Sequence, residues 1–539
     1  MPAPEFLAPL LPFAQTSNRL RRRLPVACTA VLLAAPLLVP SALLAQESDV
    51  AGFAMPPSED GARQLEAALT DAFGRLLSDM ANEDIDAELR FDGEPVATPD
   101  GDAYALAIPK TILEFGGDFV GELPPFDADV RPLDDGWLDI AWTLQSPATA
   151  FDPRGDGRAT LSFEPTDSRV VYAPQYGVLM DGDVSLEALE LGIESDGEAV
   201  DATLASVAVL ASTQADPAMD DLYDSQGSIV IQDLLVTGME DAVRVALEGI
   251  DFEAATTAQR FDLFALLNEQ TRDIDPDDTE AMLEAFAAVL ADHAADKWLG
   301  SFAMRFGMSG LDIDTPDLVA AVDGVEFELS AGGLDGDASS IGIAAAAAGI
   351  ASPQIPPPFV EVAPTAFSVA LAGENLPFEA LLDRVYAQVD LGEAEMGPKG
   401  RRMGTGFDLE ALEDLNPMEM LGIVLQSDAV LVLEGLNIDA PIGHIDATGT
   451  VEPAPASPFQ AVADIDIAIA GLPEIIAFAQ SMGGDAAEVA AVASLFSAMG
   501  QDETDEDGTP VKAFNLVVTE AGQVLLNGND MSAMMGMFQ

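Results

Sequence analysis

The chain is nearly without cysteine, histidine and lysine. Its 539 residues include one cysteine and two histidines. Lysine occurs only at Lys110, Lys297, Lys399 and Lys512. With Cys28 as the sole cysteine, an intramolecular disulfide, a CxxC redox pair and a thiolate metal cage are all excluded. With only His293 and His444, and no HExxH spacing, the zinc-hydrolase pattern has nothing to rest on. Gly307-Met308-Ser309-Gly310 fails the spacing of a GxSxG nucleophile elbow. The glycines around Lys399 are not followed by the GK[ST] ending of a phosphate-cradling loop. Positive charge is scarce as well: 22 Lys and Arg stand against 93 Asp and Glu, a formal charge of −71. Such a chain repels nucleic acid and anionic lipid surfaces, which carry the same sign.

Apolar residues are plentiful. They make up 49% of the chain and recur at regular periods, so the acidity does not signal disorder. One long apolar run, Leu24–Ala45, follows the basic group Arg19, Arg21, Arg22 and Arg23 and gives way to Gln46-Glu47-Ser48-Asp49. A basic region, an apolar stretch and a small residue before a polar start form a secretory signal. Residues 1–45 read as that signal, with cleavage after Ala45 and a periplasmic destination. Pro36 and Pro40 interrupt the run and set it against a stable spanning helix. Membrane association is expected only if the segment stays uncleaved. Removing residues 1–45 takes away the four arginines and Glu5, moving the formal charge from −71 to −74. Cys28 leaves with them.

Residues 46–59 read as a linker. A helix is expected over 61–81, with Leu65, Leu69, Phe73, Leu76, Leu77 and Met80 on one face. From Ala87 to Phe252 the pattern changes to strands. Asp92-Gly93, Asp100-Gly101, Asp135-Gly136, Asp181-Gly182 and Asp196-Gly197 stand as hairpin signals, and the expectation is a long antiparallel meander. A helical insert is expected between Gln259 and Ala295. The domains expected are therefore 60–295, a sheet half with a leading helix and a helical insert, and 296–530, a second sheet half with strand–helix units. A methionine-rich tail, 531–539, follows.

A short unit recurs: three alternating apolar residues, a glycine, then Leu or Ile. It occurs at Val243–Ile250, Leu431–Leu436 and Ile465–Leu472. At Leu376-Pro377 and Leu472-Pro473 a strand pattern turns directly into a helical one, which proline tolerates in the first turn. The expected fold class is α+β, mainly antiparallel β, with elongated curved sheets and amphipathic helices packed on one face.

Few residues carry candidate chemistry. His293, flanked by Asp292 and Asp296, reads as a surface residue at a helix end, and His444 as a strand residue. Glu503–Gly508 resembles the start of a calcium loop, but Phe514 occupies the position that needs a carboxylate. Arg154-Gly155-Asp156 reads as a turn. Lys399, Arg401 and Arg402 form the one basic patch after the signal. Met531, Met534, Met535 and Met537 could offer thioethers to Cu(I), or simply pack. No catalytic, cofactor-binding or metal-ligating residue is assigned, no cofactor is expected, and the protein is expected not to be an enzyme.

The signal, the 61–81 helix, the hairpin run from Arg90, the two Leu-Pro helix entries and the closing Gly522–Gly528 together resemble a family of alphaproteobacterial envelope proteins built on a domain of unknown function. The ending is also similar to that of AsmA-like envelope proteins. The resemblance implies a sheet-rich envelope protein and brings no catalytic residues with it. The expectation is a periplasmic protein that binds a hydrophobic, lipid-like ligand or supports envelope maintenance. The alternative is a structural protein that contacts another envelope protein and holds no small molecule.

Overall fold

The structure is a computed structural model. It describes the chain from residue 57 to residue 531, apart from 68–86, most of 272–298, 382–421 and several short loop stretches. The proposed signal, most of the linker and the tail beyond Met531 lie outside the described residues. Antiparallel strands dominate and helices are few, as the sequence predicts. The chain divides into two compact units, Met1–Ser212 with Ile231–Arg244, and Thr213–Val230 with Val245–Gln539.

The first unit opens with a helical segment, residues 59–67, the described part of the predicted 61–81 helix. Strands follow at β1 (Ala87–Phe91), β2 (Val96–Asp100), β3 (Ala103–Ile108), β4 (Thr111–Phe115), β5 (Phe119–Leu123) and β6 (Phe126–Pro132). Next come β7 (Leu138–Thr143), β8 (Ala148–Phe151), β9 (Gly157–Glu164), β10 (Asp167–Ala173), β11 (Val178–Ser195) and β12 (Glu198–Ala215).

These strands do not form the expected meander. The chain alternates between two antiparallel ladders. One runs β1–β4–β5–β8–β9–β11, and the other β2–β3–β6–β7–β10–β11. The long β11 belongs to both: Val178–Asp183 pairs with β10 and Glu187–Ser195 with β9. Asp92-Gly93 is therefore a crossover between ladders and not a hairpin. Pro95 biases Glu94, the residue before it, towards an extended backbone, and the Asp92 N–H donates to Lys110 O at the neighbouring crossover. Asp181-Gly182 lies inside β11, so it is not a turn either. Asp100-Gly101 does link paired strands, as does Gly136 between β6 and β7, while Asp196-Gly197 lies outside the described residues.

Strand alternation points Tyr104, Leu106, Val130, Ile140, Trp142 and Tyr172 of one ladder, and Leu123, Ala148, Leu161 and Phe163 of the other, into one shared core. Leu65 and Ala62 of the helical segment enter the same core. The Tyr104 hydroxyl accepts from the Ser58 N–H at 3.2 Å, and Glu66 Oε1 accepts from the Ala97 N–H at 2.8 Å.

β13 (Tyr223–Gly238) and β14 (Val243–Gln259) have residues in both units. Helix α1 (Phe261–Thr271) starts just after Gln259, which is the last residue of β14 and not the first of the helix. The second unit continues with β15 (Ser301–Asp314), β16 (Val319–Gly332), β17 (Ser339–Ala348), β18 (Ala366–Leu376), β19 (Val430–Ala440), β20 (Gly443–Pro453) and β21 (Ala461–Ala470). Helices α2 (Leu472–Met482) and α3 (Asp485–Met499) precede β22 (Gln501–Thr504), β23 (Pro510–Val518), β24 (Val524–Leu526) and β25 (Asn529–Asp530). Here the meander is real. Each strand from β15 to β21 pairs with the next, β21 pairs with β23, and β23 pairs with β24. The proline-rich stretch Ser352–Pro364 connects the paired strands β17 and β18 inside this unit.

Candidate functional site

The register of the second unit sorts its side chains onto two faces. One face carries Phe302, Met304, Phe306 and Met308 on β15, opposite Ala331, Leu329, Phe327 and Val325 on β16. The row continues through Ile341, Ile343, Ala345 and Ala347 to Gly373, Leu371, Val369 and Phe367. It then passes to Leu431, Leu433, Leu436 and Ile438 on β19. β21 extends it with Ile465, Ile467 and Ile469, and β23 with Phe514 and Leu516.

One irregularity keeps this row together. The β18–β19 register shifts after Ala370, and the β19–β20 register shifts between Leu433 and Leu436. The extra residue is a β-bulge that restores Leu436 and Ile438 to the face of Leu431 and Leu433. Gly435, the glycine of the recurring sequence unit, sits at this bulge.

The other face holds the polar contacts. Arg305 reaches Glu326 at 2.6 Å and Glu328 at 3.5 Å. The Glu326 hydrogen bond, above all, raises the Arg305 pKa above its ordinary value. His444 Nε2 lies 3.2 Å from Asp446, whose other oxygen accepts from Asn437 Nδ2 at 2.7 Å. Asn515 Nδ2 donates to Asp464 at 2.7 Å and to Asp466 at 2.9 Å. Between these groups, β17 and β18 place small residues on the same face: Gly342, Ala344 and Ala346 beside Ala372, Ala370 and Ser368.

The apolar face is covered at one end. α2 and α3 pack there, where Leu472, Phe514 and Leu526 are buried with Ile467, Ile469, Ile476 and Met499 against them. The chain enters α2 as the sequence predicts: β21 ends at Ala470, Gly471 turns at φ 68°, and Pro473 stands in the first helical turn. The parallel entry at Pro377 also forms, with the Leu381 N–H donating to Pro377 O at 3.0 Å.

Over β17–β19 several residues of the same face are exposed. Ile341 is 40% exposed, Ile343 44%, Phe367 41%, Leu371 37% and Leu431 52%. Ile343 stands directly opposite Leu371, and Ile341 and Leu431 both stand opposite Gly373. These are neighbours, not scattered surface residues. Adjacent strands lie ~4.8 Å apart and alternate residues ~6.7 Å apart. Four alternate positions on three strands therefore make a patch roughly 20 Å long and about 10 Å across between the outer strand axes. A continuous apolar patch of this kind marks a binding surface more often than an isolated exposed side chain does.

The described residues among those singled out in the sequence fall elsewhere. His444 lies on the polar face beside Asp446, and Ser309 pairs with Gly324 on β16. Glu503 is in β22 opposite Val511, and Phe514 is a core residue. Met531 packs on the Leu472–Phe514–Leu526 cluster, with its N–H donating to Val524 O at 2.8 Å. His293, Arg154–Asp156, the Lys399–Arg402 patch, and Met534, Met535 and Met537 lie outside the described residues. Among the described residues, no group of three or more His, Cys, Asp or Glu is gathered to hold a metal ion. Among them too, no helix is long and apolar enough to cross a membrane.

The comparisons with known proteins leave the site to speak for itself. No protein-family model, curated protein or solved structure matches the chain.

Proposed function

We propose that this is an exported, periplasmic protein that holds a lipid-like ligand on the open apolar face of β17–β19. The observation that carries the reading is the run of half-exposed Ile341, Ile343, Phe367, Leu371 and Leu431 on three adjacent strands. Its length suits a hydrocarbon tail. The patch is roughly 20 Å long, against about 15 Å for one leaflet, half of the ~30 Å hydrocarbon core of a bilayer. Covering such a face stabilises the complex by about 25 cal/mol for each Å² of apolar surface removed from water, before the cost of immobilising the ligand. The acidic remainder keeps the protein dispersed while this surface stays exposed. The role is binding within the envelope, in keeping with the family resemblance, and no residue is assigned to catalysis.

The test is native mass spectrometry of the protein purified without detergent, followed by titration with an uncharged pyrenyl dodecanol. Lipid-mass adducts, or saturable pyrene uptake lost in Ile343→Glu, support the reading. A lipid-free protein that also takes up no probe overturns it. So does a homodimer that Ile343→Glu dissociates, because the face then belongs to a second copy.

A further inference from the structure

The closing turn of the chain carries a chemistry of its own, away from the apolar face. Asn527-Gly528 is the only Asn-Gly pair among the 539 residues, and every other asparagine is followed by a residue with a side chain. The pair forms the two-residue turn between β24 and β25, where Leu526 stands opposite Asn529. Both turn residues have positive φ, 48° and 77°, as a type I′ hairpin requires. Asn-Gly is also the dipeptide most open to attack by its own backbone, because glycine has no Cβ to shield its nitrogen. Gly528 and Asn529 are exposed to water.

The fold anchors the Asn527 side chain at both ends of its amide. Oδ1 accepts from the Asn515 N–H at 2.7 Å. Nδ2 donates to Met499 O at 2.9 Å and to Ala513 O at 3.3 Å. Two carbonyls on one side and an N–H on the other fix which end of the amide is which. The backbone N–H of Asn527 donates to Asn515 O at 2.8 Å. One side chain thus joins β23, the closing turn and Met499, the last residue of α3. The final carbonyls of a helix have no intrahelical partner, and Nδ2 supplies one to Met499 O.

We propose that Asn527 is a self-modification site, kept silent by the native fold and released by local opening at the end of α3. In the released chain the Gly528 nitrogen attacks Asn527 Cγ. The new N–C bond forms, the Cγ–Nδ2 bond breaks, and ammonia leaves with the proton of the Gly528 N–H. Water then opens the resulting succinimide to aspartate or isoaspartate, with no change of oxidation state. In the native turn, rotation of Cγ towards the Gly528 nitrogen first requires the three amide hydrogen bonds to break.

The product does not fit the place it came from. A carboxylate accepts but does not donate, so Met499 O and Ala513 O both lose their donor. It also sets a negative charge at the C-terminal end of α3, where the helix dipole is already negative. Isoaspartate lengthens the backbone inside a two-residue turn. Refolding does not undo the hydrolysis, so a molecule that has opened here carries α3 less firmly tied to the sheet.

The experiment incubates the full-length protein in mildly alkaline buffer, native or unfolded in guanidinium chloride, and follows each asparagine by peptide mass spectrometry. Asn527 should convert fastest of all asparagines in the unfolded chain. In the native protein it should convert at least about tenfold more slowly, the factor set by a local opening that costs about 1.4 kcal/mol. Gly528→Ala should slow the unfolded-state reaction. Asn527→Asp, and unsubstituted protein aged unfolded and then refolded, should both be cleaved faster around Gly500 in limited proteolysis. Equal rates in the native and unfolded states overturn the protection. An Asn527 that converts no faster than the other asparagines when unfolded overturns the site. Unchanged proteolysis of both modified samples overturns the tie to α3. If Asn527→Asp does not fold, the rate comparison on the unsubstituted chain still decides.

Discussion

At the residue scale, stability rests on a few side chains with defined partners. Leu65 is fully buried in the core of the first unit and ties the helical segment to both ladders. Leu65→Ala should cost about 2–5 kcal/mol, the range for a leucine truncated in a packed core. Urea unfolding followed by tryptophan fluorescence reads this, because Trp142 lies in the same cluster. Gly61 is constrained by the Tyr104 hydroxyl, which a Cβ at that position would strike, so Gly61→Val should unseat the helical segment. Asp262 shows how charge acts locally. The Arg260 guanidinium donates to it at 2.8 Å and, against partial burial, holds its carboxyl below the usual range. A carboxyl whose folded pKa is depressed stabilises the fold at pH values above its unfolded value of about 3.9, and that contribution is lost as pH falls through the lower folded value. Arg260→Gln should therefore bring acid unfolding to a higher pH. The pair is half exposed, so the change should stay below ~1 kcal/mol. An acid limb that superimposes on that of the unsubstituted protein would contradict it.

At the element scale, the sequence was legible wherever one signal had one structural use. The Leu472-Pro473 helix entry and the strand alternation of Ile465–Ile469 form where the pattern places them. Asp-Gly was read less well, because the dipeptide states that the chain can turn and not which strand it turns towards. At Asp100-Gly101 the next strand pairs back, whereas at Asp92-Gly93 the chain leaves for the other ladder. The recurring apolar unit is similar. Its glycine makes a bulge at Gly435 and a left-handed exit at Gly471. No short motif marks the apolar face of β17–β19. It is assembled from alternate residues of three strands, and β18 and β19 are separated by more than fifty residues of sequence.

Gly471 has φ 68°, and a Cβ there would meet Ile442 O, so Gly471→Ala should cost at least ~1 kcal/mol and loosen α2 from the sheet. Limited proteolysis between β21 and α2 should rise in that variant. Ile343→Glu, by contrast, alters an exposed strand position and should leave the circular dichroism and urea midpoint nearly unchanged, within about 0.5 kcal/mol, while abolishing uptake of an apolar probe. A large loss of stability would mean that the face is an internal surface of the fold.

At the scale of the whole molecule, a formal charge of −71 acts as a uniform internal pressure. Carboxylates repel one another in the compact state more than in the expanded chain, and salt screens that repulsion. Thermal unfolding should therefore shift upward in temperature as NaCl is raised. A midpoint that falls with salt would show that the ion pairs, such as Arg169–Asp139 at 2.7 Å, outweigh the net repulsion. The same charge explains how an apolar face of three strands is tolerated in solution: like-charged molecules do not readily bring these faces together.

Fluorescence titration with uncharged pyrenyl dodecanol decides whether the apolar face of β17–β19 takes up a lipid-like molecule. Saturable binding to the intact protein, lost in Ile343→Glu at unchanged stability, is the expected result. Undiminished binding in Ile343→Glu, or none to the intact protein, would contradict it.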